Sequence, residues 1–447
     1  MTRAATGGHA GAHAIGTGTA TVLGILSGTS IDAIDTALVA FRRDAEDPSL
    51  GRARILATGE HPWDPDLRSD LLAVLAPASS DVGTWCRLHA ATGDAFGAAA
   101  RAALDAAPAG ARADLIASHG QTLFHDVVDG RVRGSLQIGD AARIAAATGV
   151  PVLADLRAAD IAAGGHGAPL VPLLDELVLG DVPSAVVNIG GIANLALVGT
   201  GVTGGGAASA GDVVAGDTGP GNALLDAAVH RATEGRAHVD VDARLARTGR
   251  VDAALLQALL ADPFYAEPFP RSTGREHFDA DHVRRLAPGP LPDLPDLLAT
   301  LVELTALTIA RGIEQAAALV PPGARPVRVV ASGGGMRNPL LAERLRALLA
   351  PLPVVAPEEA GLPSDAKEAV LMALIGWLSL QGLPGTLARA DGTAATGAAR
   401  PVVLGSLTPP GALVPPRGEG APDPVPLRRL ILEPVTADRP DAPVELP

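Results

Sequence analysis

Residues 23–35 read L-G-I-L-S-G-T-S-I-D-A-I-D, an apolar strand that runs into the turn Ser27-Gly28-Thr29-Ser30 and then two carboxylates, Asp32 and Asp35. Small residues let backbone N–H groups and hydroxyls close around a phosphate that bulkier side chains would exclude. The rest of the chain sharpens this reading through what it lacks. Lys367 is the sole lysine. A P-loop needs a lysine after its glycines and a protein kinase needs one on a strand, so neither scheme fits. A nucleotide here must be handled by backbone, hydroxyls, a carboxylate-held metal and arginine.

A chain of 447 residues has room for two or three domains or one large two-lobed enzyme. Its 47% hydrophobic and 2% aromatic residues predict a core of Ala, Val and Leu. A net charge of −14 argues against a nucleic-acid partner, which would call for a basic stripe. Cys86 stands alone, so an intramolecular disulfide and a cysteine metal cluster are both excluded. Residues 1–20 have no apolar core of a secretory signal and read as a disordered leader. No apolar run reaches membrane-span length. The expectation is a cytoplasmic protein without membrane contact.

Strands are expected at Thr21–Leu26, Ala37–Phe41 and Ala53–Thr58, helices at Pro65–Leu75 and Gly83–Leu104, and strands again at Asp114–Ser118 and Val150–Ala154. A second half restarts near Ser184 with Ala185–Ile189, the turn Asn188 to Asn194, and a returning strand Leu195–Val198. Gly199–Gly211 reads as a mobile loop. Helices follow at Ala223–Ala232, Leu297–Leu319 and Ala366–Leu380, with a strand at Val327–Ala331 that breaks at Gly333-Gly334-Gly335. The lobes expected are 21–183 and 184–408, the last segment of the second being free to return to the first; a Pro-rich tail occupies 409–447. Each half pairs a strand–turn–strand with later strand-to-loop junctions, which points to a duplicated α/β unit around a central cleft.

Each motif also has a plainer reading. Ser27–Ser30 and Asn188–Asn194 can be hairpin turns, and the triple glycine a strand-to-helix turn. Three such turns at strand ends, in order, favour a ligand at the sheet edge. Asp217 can cap the following helix or act as a general base, and the glycines at 216, 219 and 221 exceed what capping needs. His119 with Gln121, the loop around His166 and Gly167, Arg157 and Glu368 supply the directional polar groups that a sugar site requires. Alternatively His119 is structural, Arg157 pairs with Asp155, and Glu368 is a surface charge.

Taken together the segments resemble the anhydro-N-acetylmuramic acid kinase family, a branch of the actin/hexokinase/Hsp70-like ATPase superfamily. The resemblance rests on S-G-T-S-I-D at 27–32, S-H-G-Q-T at 118–122, L-Q-I-G-D at 136–140, A-D-L-R at 154–157 and A-G-G-H-G-A-P-L-V-P at 163–172. It continues with V-N-I-G-G-I-A-N at 187–194, G-D-T-G-P-G-N at 216–222, R-S-T-G-R-E-H-F at 271–278, G-G-G-M-R-N at 333–338 and T-G-A at 396–398.

The resemblance implies a two-lobed actin-like (ribonuclease H-like) α/β fold and an ATP-dependent kinase. Such a kinase opens the ring of 1,6-anhydro-N-acetylmuramic acid with water, giving N-acetylmuramic acid 6-phosphate in cell-wall recycling. Asp217 would be the catalytic base; Ser27, Gly28, Thr29 and Ser30 would hold phosphates, faced by Asn188, Gly190 and Gly191, with Gly333, Gly334 and Gly335 at the nucleoside. His119, Gln121, Arg157, His166, Gly167 and Glu368 would meet the sugar, and Asp32 would organise Mg2+ through waters. The partners implied are ATP and a small amino sugar, and a homodimer is left open. The chain departs from the family pattern at Ala158 and Ala159, where relatives carry basic residues, at His166 in place of Gln, and at Ile31 and Ala33 around Asp32. The rival readings are a sugar kinase of the same fold without ring opening, a non-catalytic ATP-binding regulator, and, further off, a two-carboxylate glycosidase.

Overall fold

The computed structural model describes residues 18–28, 30–75, 79–128, 131–199, 209–210, 214–269, 271–274, 277–364, 366–389, 391–411 and 427–433. Strand β1 (Thr19–Ser27) buries Leu23 and Ile25 on one face and Val22 and Leu26 on the other. A strand without a polar face must lie mid-sheet with both sides covered. It pairs antiparallel with β2 (Ala33–Arg43), which pairs antiparallel with β3 (Leu50–Pro62). On its other side lies β4 (Leu115–Val128), parallel to it and joined by a hairpin to β5 (Arg131–Ile138); β6 (Val152–Ala154) runs parallel beyond.

The second sheet repeats this plan. Strands β7 (Ser184–Ile189), β8 (Ile192–Val198) and, past the two-residue β9 (Ser209–Ala210), β10 (Ala215–Pro220) are successively antiparallel. Strands β11 (Arg328–Ser332) and β12 (Val354–Val355) then lie parallel beside β7. The orders β3-β2-β1-β4-β6 and β10-β8-β7-β11-β12 match in sequence and direction. The fold is therefore the two-lobed actin-like α/β architecture expected from the resemblance.

Helices α1 (Pro65–Ala73), α2 (Val82–Asp105) and α3 (Ala141–Thr148) cover the outer face of the first sheet through Leu71, Phe96 and Ile144. After the short α4 (Ala158–Ala162), α5 (Val171–Leu179) enters the space between the sheets. Helices α6 (Ala223–Ala232), α7 (Ala253–Leu260), α8 (His282–Leu286), α9 (Leu294–Ala317) and α10 (Pro339–Leu349) cover the outer face of the second sheet. Helix α11 (Lys367–Leu380) returns to the first lobe and packs on β1, alongside α5. Val186, Val198 and Val330 of the second sheet join this same core, so one apolar layer links the lobes. The contact of α11 with β1 depends on Gly24, where a Cβ would stand 1.9 Å from the Ala369 carbonyl oxygen.

Two expectations need correction. The strand expected to end at Ser118 instead continues as β4 through the S-H-G-Q-T segment to Val128. Gly120, at φ +72, opens a bulge that breaks the alternation without ending the pairing. The segment from 409 was read as a peripheral tail, but β15 (Arg429–Glu433) pairs parallel with β3 at the edge of the first sheet and buries Leu430. Between these, β13 (Ala388–Arg389) pairs with β9, and β14 (Ser406–Thr408) pairs antiparallel with β6. The leader up to residue 17, most of the 199–211 loop and the rest of the tail lie outside the described residues. Among the described residues no helix is long and apolar enough to cross a membrane.

The lone lysine is largely enclosed, its side chain 11% exposed. Lys367 Nζ lies 2.7 Å from Asp175 Oδ1, tying α11 to α5 between the sheets. Burial raises the Asp175 carboxyl above its usual range, and Lys367 opposes that rise. Lys367→Met should lower stability by about 3–5 kcal/mol by stranding a buried carboxylate. A raised folded-state pKa gives stability that is present at low pH and lost as pH climbs, so the deficit should shrink on acidification. Urea unfolding at neutral and mildly acidic pH checks both statements.

Candidate active site

The register of the second sheet lines up four polar residues. Asp217 pairs with Asn194, Asn194 with Asn188, and Asn188 with Ser332, one from each of β10, β8, β7 and β11. Laterally paired residues share a face, and here it is the face on which Val186 and Val330 pack against the inter-lobe core. Val187, Ile189 and Leu195 point the other way into the outer core. The row thus emerges at the strand ends on the side facing the first lobe. Asp217 stands roughly 10 Å from Asn188, two strand spacings away.

The glycine turns of this lobe close over the end of the row. The backbone N–H of Asn222 donates to the Gly190 carbonyl at 2.8 Å, and those of Gly221 and Ala223 donate to Gly191 at 2.9 and 3.1 Å. Gly333, at φ +89, passes so near the Asn188 turn that a Cβ would lie 2.6 Å from Asn188 Oδ1. A Cβ on Gly335 would lie 2.3 Å from Ile189 Cγ2. Asn188 and Ile189 are therefore packed directly against Gly333 and Gly335, with Gly334 beside Asn222, while Gly190 and Gly191 are bonded to the 221–223 turn. These turns present backbone rather than side chains, a surface that an anionic group can approach closely.

Asp217 is a strand residue and not a helix cap; the cap position of α6 is Asn222. The Thr273 N–H donates to Asp217 Oδ2 at 2.8 Å and the Ser272 hydroxyl donates to the same atom at 3.2 Å. Oδ1 is left without a protein donor among the described residues. The loop is locked to β10 through Arg271, whose carbonyl accepts from Asp217 N at 2.9 Å and whose Nε donates to the Asp217 carbonyl at 2.9 Å. The Arg271 guanidinium lies between the Phe264 and Phe269 rings, 4.9 and 4.6 Å from their centroids, and donates to the Glu267 carbonyl at 2.8 Å. Burial lifts the Asp217 carboxyl above the ordinary aspartate range, while Thr273, Ser272 and Arg271 hold it down.

A second group assembles in the first lobe. Ser27 is buried and its Oγ accepts from Trp63 Nε1 at 3.3 Å, while Gln121 Nε2 donates to the Gly28 carbonyl at 3.2 Å. Gln121 is fully buried, so it braces the Ser27–Ser30 turn from behind. Ser30 is exposed at the rim; Thr29 lies outside the described residues. Asp32 is open to solvent, 3.4 Å from Arg68.

His119 Nδ1 faces the Gly120 carbonyl at 3.1 Å, which can only accept, so Nδ1 carries the proton and Nε2 accepts from Arg157 Nε at 2.9 Å. Burial and the adjacent Arg157 push the imidazole down to about 4, which keeps it neutral. Arg157 is therefore aimed by His119 rather than paired with Asp155. Glu368 reaches solvent at the start of α11; surrounding protein raises its carboxyl, and Lys367 and Arg157 oppose this.

Two residues that the sequence reading did not single out, Asp160 and His125, complete the arrangement together with Asp35, to which it gave no role. Asp160, fully buried, accepts from Gly167 N at 2.7 Å and from Thr396 Oγ1 at 2.6 Å, pinning the His166–Gly167 loop to the T-G-A segment. His125 lies near Arg157 and His166 and is held below its usual value by burial and by both. The Asp35 carboxyl rises to about 6 through burial and the nearby Glu60 and Glu368.

A family model described as anhydro-N-acetylmuramic acid kinase matches residues 20–410. A protein of that description from Streptomyces avermitilis is 44% identical over 421 residues, covering 92% of this chain and 100% of the relative. One from Rhodococcus erythropolis is 42% identical over 87% of this chain and 94% of its own length. Among solved structures, a xylulose kinase from Rhodospirillum rubrum aligns at a TM-score of 0.39 and 14% identity over 80% of this chain and 90% of that one, too loose a likeness to argue from.

Ser272→Ala removes one donor that favours the ionised form of Asp217. The pKa of that carboxyl should then rise further, and carbon-13 NMR titration of labelled aspartate reads the shift; an unmoved Asp217 resonance would show that the hydroxyl bond carries no weight.

Proposed function

The chain belongs to the anhydro-N-acetylmuramic acid kinase family, and we propose that it spends ATP and water on opening and phosphorylating 1,6-anhydro-N-acetylmuramic acid. As a family member the enzyme is a phosphotransferase with an alcohol acceptor. Water attacks the anomeric carbon, the bond from C1 to O6 breaks, and O6 takes the γ-phosphoryl group as ADP leaves. Asp217 receives the proton of the attacking water.

The observation that carries this reading is the hold on Asp217. Two donors occupy Oδ2, so Oδ1 is the oxygen available to a water, and burial raises its basicity. A base placed this way contributes about 10²–10⁴-fold. Oxocarbenium character at C1 would also be stabilised by the same carboxylate. Phosphoryl transfer asks mainly for alignment and charge neutralisation. The backbone edges of the Ser27–Ser30 and Asn188–Gly191 turns serve that role, with the Gly333–Gly335 turn beneath the nucleoside. The sugar's lactyl carboxylate would meet Arg157, held by neutral His119.

Asp32 suits Mg2+: its carboxylate stays 75% exposed beside Arg68, a hard donor open to an ion that keeps most of its waters. Bound there, Mg2+ would neutralise phosphate charge. The reading places the enzyme in the cytoplasm, acting on sugar released from cell wall.

Asp217→Asn should cut sugar-dependent ADP release by about 10²-fold or more while ATP affinity stays unchanged. A variant with near-normal turnover would remove Asp217 from the chemistry. In the wild type, activity should fall as pH drops through the raised pKa of Asp217, at a pH above the ordinary aspartate range.

A further inference from the structure

One cluster of metal-type ligands lies outside the site, at the base of the loop that carries Arg271, Ser272 and Thr273. Asp262 follows α7, His277 comes just after the loop and His282 opens α8. One ligand atom from each lies within 4.8 Å of the others. His277 Nε2 is 3.0 Å and His282 Nε2 3.7 Å from the same oxygen, Asp262 Oδ2.

The bonding of His282 indicates what belongs between them. Its side chain is 2% exposed, and its Nδ1 faces the His277 carbonyl at 3.1 Å. A carbonyl accepts only, so Nδ1 carries the hydrogen and Nε2 of the neutral ring presents a lone pair. That Nε2 is buried with no hydrogen-bond partner among the described residues. It points toward a carboxylate oxygen too distant for a hydrogen bond. Two electron-rich atoms facing each other in the interior call for a cation between them.

We propose that Asp262, His277 and His282 bind a divalent transition-metal ion of the zinc class, which staples the two ends of the loop that orients Asp217. Zinc bonds of about 2.0–2.2 Å set tetrahedral ligand separations of roughly 3.3 Å, between the two spacings seen here. The outer contacts are those of a ligand set: His282 donates Nδ1–H to a backbone carbonyl, and Asp262 Oδ1 is fixed by Phe264 N at 2.9 Å. Two imidazoles with one carboxylate select zinc, cobalt or nickel over magnesium or calcium. His277 is solvent-exposed, which opens an entry path and leaves a fourth position for water. This proposal stands apart from the kinase reading, since it concerns a site that touches neither nucleotide nor sugar.

The test is calorimetric titration of the metal-stripped full-length protein with Zn2+, for the wild type and for His277→Gln and His282→Gln. The wild type should bind one ion per chain at this site and show a raised Tm with zinc. His277→Gln, at an exposed position, should keep its metal-free far-UV circular dichroism and Tm but lose at least about 100-fold in zinc affinity, beyond the range for outer-contact losses. His282→Gln should lose the site as well. Co2+ should give the intense visible bands of a tetrahedral centre in the wild type alone, and Mg2+ should not compete. No stoichiometric zinc uptake by the wild type, or equal affinity and zinc-dependent Tm in His277→Gln, would overturn the proposal and leave a hydrogen-bonded Asp–His network.

Discussion

The pair of hydrogen bonds from Thr273 N–H and the Ser272 hydroxyl to one oxygen of Asp217 is the interaction on which the site depends. Both donors come from a loop more than fifty residues beyond the strand they serve, so their placement is a property of the fold and not of local sequence. Arg271 secures it. Its backbone and side chain bond to the peptide of Asp217 while its guanidinium lies between two phenyl rings and is bonded to backbone carbonyls. An always-charged planar group suits that role because it can stack and donate in several directions at once. The outcome is a half-buried carboxylate with one oxygen committed and one free.

Around this carboxylate the duplicated sheets perform separate tasks. The second sheet supplies the row Asp217–Asn194–Asn188–Ser332 and two glycine turns in backbone contact. The first supplies the Ser27–Ser30 turn, braced by Trp63 and Gln121, and the His119–Arg157 pair. The shared layer of α5 and α11 holds the lobes together, and the chain's lone lysine lies there, paired with the buried Asp175. With the lone lysine engaged by Asp175, the glycine turns offer a ligand mainly backbone N–H groups and hydroxyls.

Much of this was legible in the sequence because it is local. Apolar runs ending in small-residue turns mark β1, β7 and β11, and the surplus of glycines around Asp217 marks it as more than a cap. Gln121 was visible as a polar residue but not as a support, and His119 was open to both a structural and a sugar-binding reading, since their roles follow from the Gly28 carbonyl and Arg157, distant in sequence. Asp160 was passed over because its partners, Gly167 and Thr396, meet only after α11 returns to the first lobe. The bulge at Gly120 concealed the continuation of β4, and the proline-rich surroundings concealed β15. Long-range pairing in each instance supplied what periodicity could not.

In the proposed reaction the free oxygen of Asp217 works on a water molecule rather than on a sugar hydroxyl. Turnover of the anhydro sugar with ATP in oxygen-18 water, followed by mass spectrometry of the product, tests it most directly. One labelled oxygen is expected at C1 of a ring-opened 6-phosphate, above the slow exchange of preformed product measured alongside. A phosphorylated product that retains its anhydro ring, or carries no label at C1, would contradict it.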